Sequence, residues 1–355
     1  MLMRSAGQNL RYPLLLVHGL FSSSRTWRKT VRTFVDDYDL RYGGEISMRP
    51  AKEPLPVKPG DFYTWNFSSN YNLSYRQQAE ELARGIQQIR ELNACDKVVL
   101  AGHSMGGLAA RALVQLYGAQ DVFALITLGT PHYGSPLALL REATQKDAQR
   151  LLSRLGRLMG RADNRSENNP GIVRRALMKL FRVTTEAEAE VDRFFSSEAF
   201  IELAPGSEAL EELNRAELPE SLRYVFITGS LTDFAAFPDA QFIARYRKLN
   251  SFWKRMATKA VNSVSNRYLL APYEQFRSYL SRYQNAAADF PIEQLMDFDG
   301  AVPVMSQIIH HFRNPPVLKV ALPVFASHNR LTKRPHKLFH ALAVCGAVGA
   351  SSSAD

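Results

Sequence analysis

Five consecutive residues, Gly102-His103-Ser104-Met105-Gly106, carry the pattern Gly-x-Ser-x-Gly. A serine hydroxyl is a weak nucleophile at neutral pH; it becomes a strong one when an adjacent base takes its proton. It must also stand clear of regular structure, and a sharp turn from strand into helix does this. Here Val98-Val99-Leu100-Ala101 reads as a buried strand, and Met105 to Tyr117, rich in small residues, reads as a helix that opens directly behind Ser104. Gly102 and Gly106 allow the strand and the helix to approach closely. Gly-x-Ser-x-Gly alone arises by chance; the strand before it and the helix behind it supply the context the chemistry requires.

Attack on a carbonyl places negative charge on oxygen, and two backbone N–H groups are the usual way to hold it. Met105, at the start of the helix, is placed to give one. The second is expected from a loop after an earlier strand, and Leu14-Leu15-Leu16-Val17-His18-Gly19-Leu20-Phe21 offers one in which Gly19 permits a tight turn. Leu20 is assigned that N–H. His18 precedes the turn and is expected to hold the loop by hydrogen bonds rather than to act as a base.

Where a strand-to-helix turn at a sheet edge carries the serine, the base follows the nucleophile, in the chain order Ser, acid, His. His132, in Leu128-Gly129-Thr130-Pro131-His132-Tyr133-Gly134-Ser135-Pro136, comes too early and is expected on a pocket wall. His310 and His311 lie in Ser306 to Phe312, which reads as helix, and are expected on the surface or in the core. His328 sits in a short loop just beyond the last strand candidate, where a side chain returns to the carboxyl edge of the sheet. The acid need only reach the far nitrogen of that ring. Asp233, soon after a strand, and Asp299, before Gly300, compete on nearly equal terms; Asp297 reads better as a turn or cap residue.

These residues need a sheet edge on which to meet. Short apolar runs alternate with helical patterns, which indicates βαβ units and a parallel sheet covered on both faces. The strand candidates are residues 13–17, 62–67, 97–101, 123–128, 222–228 and 317–322; the helix candidates between them are 26–34, 76–92 and 105–117. Residues 50–59, with four prolines, read as loop. Residues 338–350 read as a closing helix.

Two helical segments, 137–213 and 234–298, interrupt the alternation. In the first, Leu151, Leu152, Leu155, Leu158 and Met159 share one face while Arg150, Arg154, Arg157 and Arg161 line another. Val173, Leu177, Leu180 and Phe181 repeat the arrangement beside Arg174, Arg175, Lys179 and Arg182. Such helices either pack on a core with a solvated charged face or form a lid over the site that meets an anionic lipid surface.

The chain has 355 residues, 46% of them hydrophobic, and a net charge of +10. That is length enough for one large α/β domain. The positive charge is concentrated: residues 141–183 hold 11 basic and four acidic residues and residues 242–283 nine basic and one acidic, so the rest is mildly acidic. No nucleic-acid motif accompanies the charge, and Phe252, Trp253, Tyr268 and Tyr273 are spaced as helix core rather than as a stacking array, so no nucleic-acid partner is expected. Two distant cysteines, Cys95 and Cys345, support neither a disulfide framework nor a cysteine metal site. No apolar run reaches the roughly 20 residues that span a bilayer, and the first apolar run leads into His18-Gly19 without a cleavage site. A cytoplasmic setting is therefore expected.

The segments GHSMGGLAARAL, LGTPHYGSP and HGLFSSSRTW, and Asp-Gly-x-Val-Pro ahead of a later Ser-His, resemble bacterial true lipases and the related lipases similar to inositol deacylases. The resemblance covers about residues 12–136, 196–229 and 299–331 and leaves out most of the two insertions. It implies an α/β-hydrolase fold, in which a mostly parallel central sheet has helices on both faces; with 137–213 and 234–298 read from their helical pattern as two cap or lid insertions, one domain of residues 1–355 is expected. It further implies Ser104 as nucleophile, Asp299 as acid in preference to Asp233, His328 as base, and the N–H groups of Leu20 and Met105 as oxyanion donors. Lipases with a structural calcium carry an Asp shortly after the base; here Asn329, Arg330 and Leu331 follow, so neither a metal nor a cofactor is expected. The expected activity is hydrolysis of a carboxylic ester with an apolar acyl chain. Transfer of the acyl group to an alcohol or thiol, and a binding protein that keeps the fold without catalysis, are the alternatives; the presence of every triad residue type and of the glycine pair weighs against the last.

Overall fold

In β1 (Leu14–Val17) every residue is buried, as a strand covered on both faces requires. Its side chains alternate between two cores: Leu15 and Val17 enter one, Leu14 and Leu16 the other. The computed structural model describes residues 9–49, 56–69, 71–135, 138, 196–230, 276, 278–279, 282, 299 and 301–349. Among these, β1 is followed by a 3₁₀ turn (Ser24–Trp27), α1 (Arg28–Asp36), β2 (Tyr42–Ser47), β3 (Phe62–Asn66), α2 (Tyr75–Asn93), β4 (Val98–His103), α3 (Met105–Leu116) and β5 (Val122–Leu128). After these come α4 (Glu198–Glu202), α5 (Glu208–Arg215), β6 (Arg223–Ser230), a 3₁₀ turn (Val304–Gln307), β7 (Leu318–Phe325), a 3₁₀ turn (His328–Lys333) and α6 (Pro335–Val344).

The strands form one seven-stranded sheet in the order β2-β3-β1-β4-β5-β6-β7, and every pairing is parallel. The order reverses direction between β1 and β4. Such a switch point opens a crevice beyond the carboxyl ends of the two strands, and Gly19 and Ser104 follow those two ends. One face of the sheet packs against α2, α3, α4 and α5; the other packs against α1 and α6.

All six expected strands form. The seventh, β2, reads Tyr-Gly-Gly-Glu-Ile-Ser and lies at the sheet edge with a register shift between Tyr42 and Gly44, so it lacks the apolar run by which the others are recognised. The expected helix over residues 306–312 does not form. A 3₁₀ turn ends at Gln307, and Ile308 is already extended, with φ −122° and ψ 134°. Hydrogen bonds that tie this stretch to Tyr133 and Gly229 override its helical pattern. The basic-faced helices at 150–161 and 173–182, most of both insertions, Asp233, Asp297 and the aromatic residues Phe252, Trp253, Tyr268 and Tyr273 lie outside the described residues. No helix among the described residues is long and apolar enough to cross a membrane.

Candidate active site

Ser104 sits between β4 and α3 with φ 54° and ψ −127°. For a residue with a Cβ this is strained backbone, at a cost of about 1–3 kcal/mol. The surroundings hold it there: the Ser104 N–H donates to the Leu128 carbonyl at 2.9 Å, and the Gly107 N–H donates to the Ser104 carbonyl at 3.0 Å. The loop after β1 presses directly on the turn. A Cβ at Gly19 would stand 2.9 Å from the Ser104 Cβ, and one at Gly106 would stand 2.3 Å from the His18 carbonyl oxygen, so both positions need glycine.

Leu20 and Ser104 line a common cavity of about 50 Å³ together with His328. Met105 is the first residue of α3, where a main-chain N–H has no partner within the helix. Neither the Leu20 nor the Met105 N–H donates a hydrogen bond among the described residues. An unpartnered N–H at a helix N-terminus, as at Met105, favours an anion.

His328 opens the 3₁₀ turn after β7, and its Nδ1 lies 2.7 Å from Asp299 Oδ2. The carboxylate is fully buried, and its other oxygen accepts the N–H groups of Ala301 and Val302 at 2.9 and 2.8 Å. The His328 N–H also donates to the Asp299 carbonyl at 2.8 Å, so the two residues are joined through both main chain and side chain. A neutral ring that donates from Nδ1 keeps its lone pair on Nε2. Gly129, with φ 58°, makes room for the pair: a Cβ there would meet Asp299 Oδ2 at 3.0 Å and His328 Nδ1 at 3.1 Å.

Four other histidines pack around the site. His18 Nδ1 donates to the Gly19 carbonyl at 2.8 Å, and burial pulls its pKa down to about 4. Burial likewise keeps His103 neutral near pH 7, with the neighbouring His328 acting in the same direction. His103 Nε2 donates to the His328 carbonyl at 3.0 Å. His132 is fully buried behind the site, not on its wall; Pro131 lines the cavity instead. The His132 N–H donates to the Ser306 carbonyl at 2.8 Å and its Nε2 lies 3.3 Å from Thr127 Oγ1, so backbone pairing draws the ring inward. His311 Nδ1 lies 2.7 Å from the Tyr133 hydroxyl, and burial drives its pKa to about 3.

Two further residues shape the site and escape sequence reasoning. Gln307 is buried; its Oε1 accepts the Gly229 N–H at 2.7 Å while its Nε2 donates to the carbonyls of Gly229 and Val302. It ties the end of β6 to the Asp299 loop. Thr332 joins the His328 turn to the segment after β1, through Thr26 Oγ1 at 3.2 Å and through the Thr30 hydroxyl, which donates to the Thr332 carbonyl at 2.8 Å. Neither residue type signals such a role in a sequence; both act through contacts about 80 or 300 residues away along the chain. Among the described residues no group of His, Cys, Asp and Glu side chains is arranged to hold a metal ion.

Residues 10–179 match the family model of the PGAP1-like α/β domain. The chain is 29% identical over 208 residues to a triacylglycerol lipase of Pseudarthrobacter phenanthrenivorans, covering 56% of this chain and 57% of that protein. It is 31% identical over 136 residues to a GPI inositol-deacylase of Debaryomyces hansenii, covering 35% of this chain and 13% of that one. The chain thus spans little more than half of the lipase it matches. A solved Listeria innocua protein superposes over 96% of both chains with a TM-score of 0.50 at 11% identity, a likeness of fold. The fold is that of the α/β hydrolases, and the chain resembles bacterial triacylglycerol lipases and inositol deacylases in sequence.

Proposed function

We propose that this protein hydrolyses carboxylic esters through an acyl-enzyme on Ser104. His328 Nε2 takes the Ser104 proton as Oγ attacks the ester carbonyl carbon. The N–H groups of Leu20 and Met105 hold the resulting oxyanion, and Asp299 stabilises the imidazolium without taking its proton. Collapse of the tetrahedral intermediate breaks the bond to the alcohol oxygen, which leaves with the proton from His328. Water then attacks the acyl-enzyme with His328 again as base, restoring Ser104 and releasing the acid.

The observation that carries this reading is the hydrogen bond from His328 Nδ1 to Asp299 Oδ2, made behind a cavity that His328 and the strained Ser104 both line. It fixes the tautomer a general base needs. The sequence likeness to lipases supports the reaction class. We also take residues 137–213 and 234–298 as cap insertions into this single domain; the end of the first, α4 and α5, packs on the sheet face with α2 and α3, and its Phe200 and Leu203 line the cavity.

A fluorophosphonate probe and a series of p-nitrophenyl esters test the reaction. The expected result is covalent labelling of Ser104 and ester turnover, both absent in Ser104→Ala. A folded wild-type protein that neither takes the label nor cleaves any ester of the series sinks the reading.

A further inference from the structure

The cavity draws its walls from opposite faces of the sheet. Phe200 and Leu203, 3% and 7% exposed, belong to the core shared with α2 and α3. The His328 turn is anchored on the other side, where Ala326 and Leu331 join the core that includes Trp27, Phe34 and α6. Asn329, directly after His328, and Thr26, held to Thr332 of the same turn, line the cavity here, and Ala301 and Val302 beside Asp299 add apolar atoms.

This asymmetry orients a substrate. The base must deliver its proton to the departing oxygen, so the alcohol part of an ester lies against the His328 turn. The acyl carbons are then directed to the opposite, apolar wall. That wall is fixed in place: the Leu203 carbonyl accepts the Ser135 N–H at 2.9 Å, and Glu202, between the two lining residues, accepts the Tyr75 N–H at 2.9 Å. A cavity of about 50 Å³ has room for on the order of four water-sized groups.

We propose that Phe200 and Leu203 close the acyl arm of the site and restrict this protein to esters with short acyl chains, of about two to four carbons. The proposal rests on the ester-hydrolase reading above. A longer chain must displace a wall held by main-chain hydrogen bonds, and the first methylene that fails to fit costs about 10-fold or more in kcat/KM.

The test compares kcat/KM for p-nitrophenyl acetate, butanoate and octanoate in wild type, Phe200→Ala and Leu203→Trp, and for methyl and hexyl butanoate in the first two. Wild type is expected to favour butanoate over octanoate by about 10-fold or more. Phe200→Ala should raise the octanoate-to-acetate ratio by about 10-fold, leaving the hexyl-to-methyl ratio within about twofold, and Leu203→Trp should lower the butanoate-to-acetate ratio by about 10-fold. A wild type that cleaves octanoate as well as butanoate overturns the proposal while the ester reading stands, whether or not the variants fold. So does a Phe200→Ala protein that shifts its alcohol preference instead of its acyl preference. A wild type inert to every ester and to the fluorophosphonate overturns both.

Discussion

The ring of His103, the residue before the serine, donates from Nε2 to the main-chain carbonyl of His328 at 3.0 Å. The nucleophile turn and the base turn, more than 200 residues apart in sequence, are thereby fastened to each other. Burial keeps the His103 ring neutral, so it donates from one nitrogen only. Replacing His103 by Phe keeps a buried ring but removes the donor, which frees the base turn to drift from Ser104. A displacement of about 1 Å costs on the order of 100-fold in rate. Steady-state kinetics should show that loss in kcat with KM for p-nitrophenyl butanoate little changed, and His103→Gln, which retains a donor, should recover part of it. Equal kcat in wild type and His103→Phe would show that the contact is idle.

Asp299 combines a structural and a chemical task, and two substitutions separate them. In Asp299→Asn the remaining oxygen still accepts the N–H groups of Ala301 and Val302, but the amide NH₂ faces His328 Nδ1. That forces the ring proton onto Nε2, the nitrogen needed to take the serine proton, and about 10³–10⁴-fold of kcat is expected to vanish with the fold intact. Asp299→Ala leaves the same donors buried without an acceptor, at about 1–3 kcal/mol each. Thermal melts should therefore place Asp299→Ala well below Asp299→Asn; coincident melts would contradict the account.

The parts of this fold that are legible in the sequence are those whose signal is local. The LLLV, VVLA and VFALITL runs are buried strands wherever they occur, and Gly-x-Ser-x-Gly between strand and helix identifies its own backbone geometry. His328 and Leu20 are legible as candidates because each follows a recognisable strand. The choice between Asp299 and Asp233 needed the likeness to lipases, since either loop can reach the base in principle. β2 was missed because a glycine-rich edge strand has neither alternation nor an apolar run, and residues 306–312 were misread because the partners that unwind them, Tyr133 and Gly229, are far away in the chain.

Strain at Ser104 predicts a trade between stability and activity. Its φ of 54° and ψ of −127° are costly for any residue with a Cβ and freely available to glycine. Ser104→Gly should abolish turnover and, after glycine's extra unfolded-state entropy, gain about 1 kcal/mol of stability. Ser104→Ala, equally inactive, retains the strain and should gain none. Denaturant titrations of the three proteins read the difference directly; a glycine variant less stable than the alanine one would mean that the turn is unstrained.

Glu202 predicts a pH dependence that belongs to the cavity wall and not to the triad. Burial raises its pKa from 4.5 to about 7, against the lowering effect of the Tyr75 N–H bond and with a smaller contribution from the Glu198 charge. Between those two values the folded protein holds a proton that the unfolded chain has lost, so stability falls as pH rises. The contribution of the protonated carboxyl is complete below about pH 4.5 and lost as pH passes through about 7. Glu202→Gln keeps an acceptor for Tyr75 and removes the titration. Melting temperatures measured from pH 5 to pH 8 should therefore fall more steeply in wild type, so that the variant gains on it at the alkaline end. The same loss loosens α4, which carries Phe200, so the octanoate-to-acetate ratio of wild type should also rise from pH 6 to pH 8 while that of Glu202→Gln stays level. Parallel melting profiles for the two proteins would remove Glu202 from any role in holding the wall.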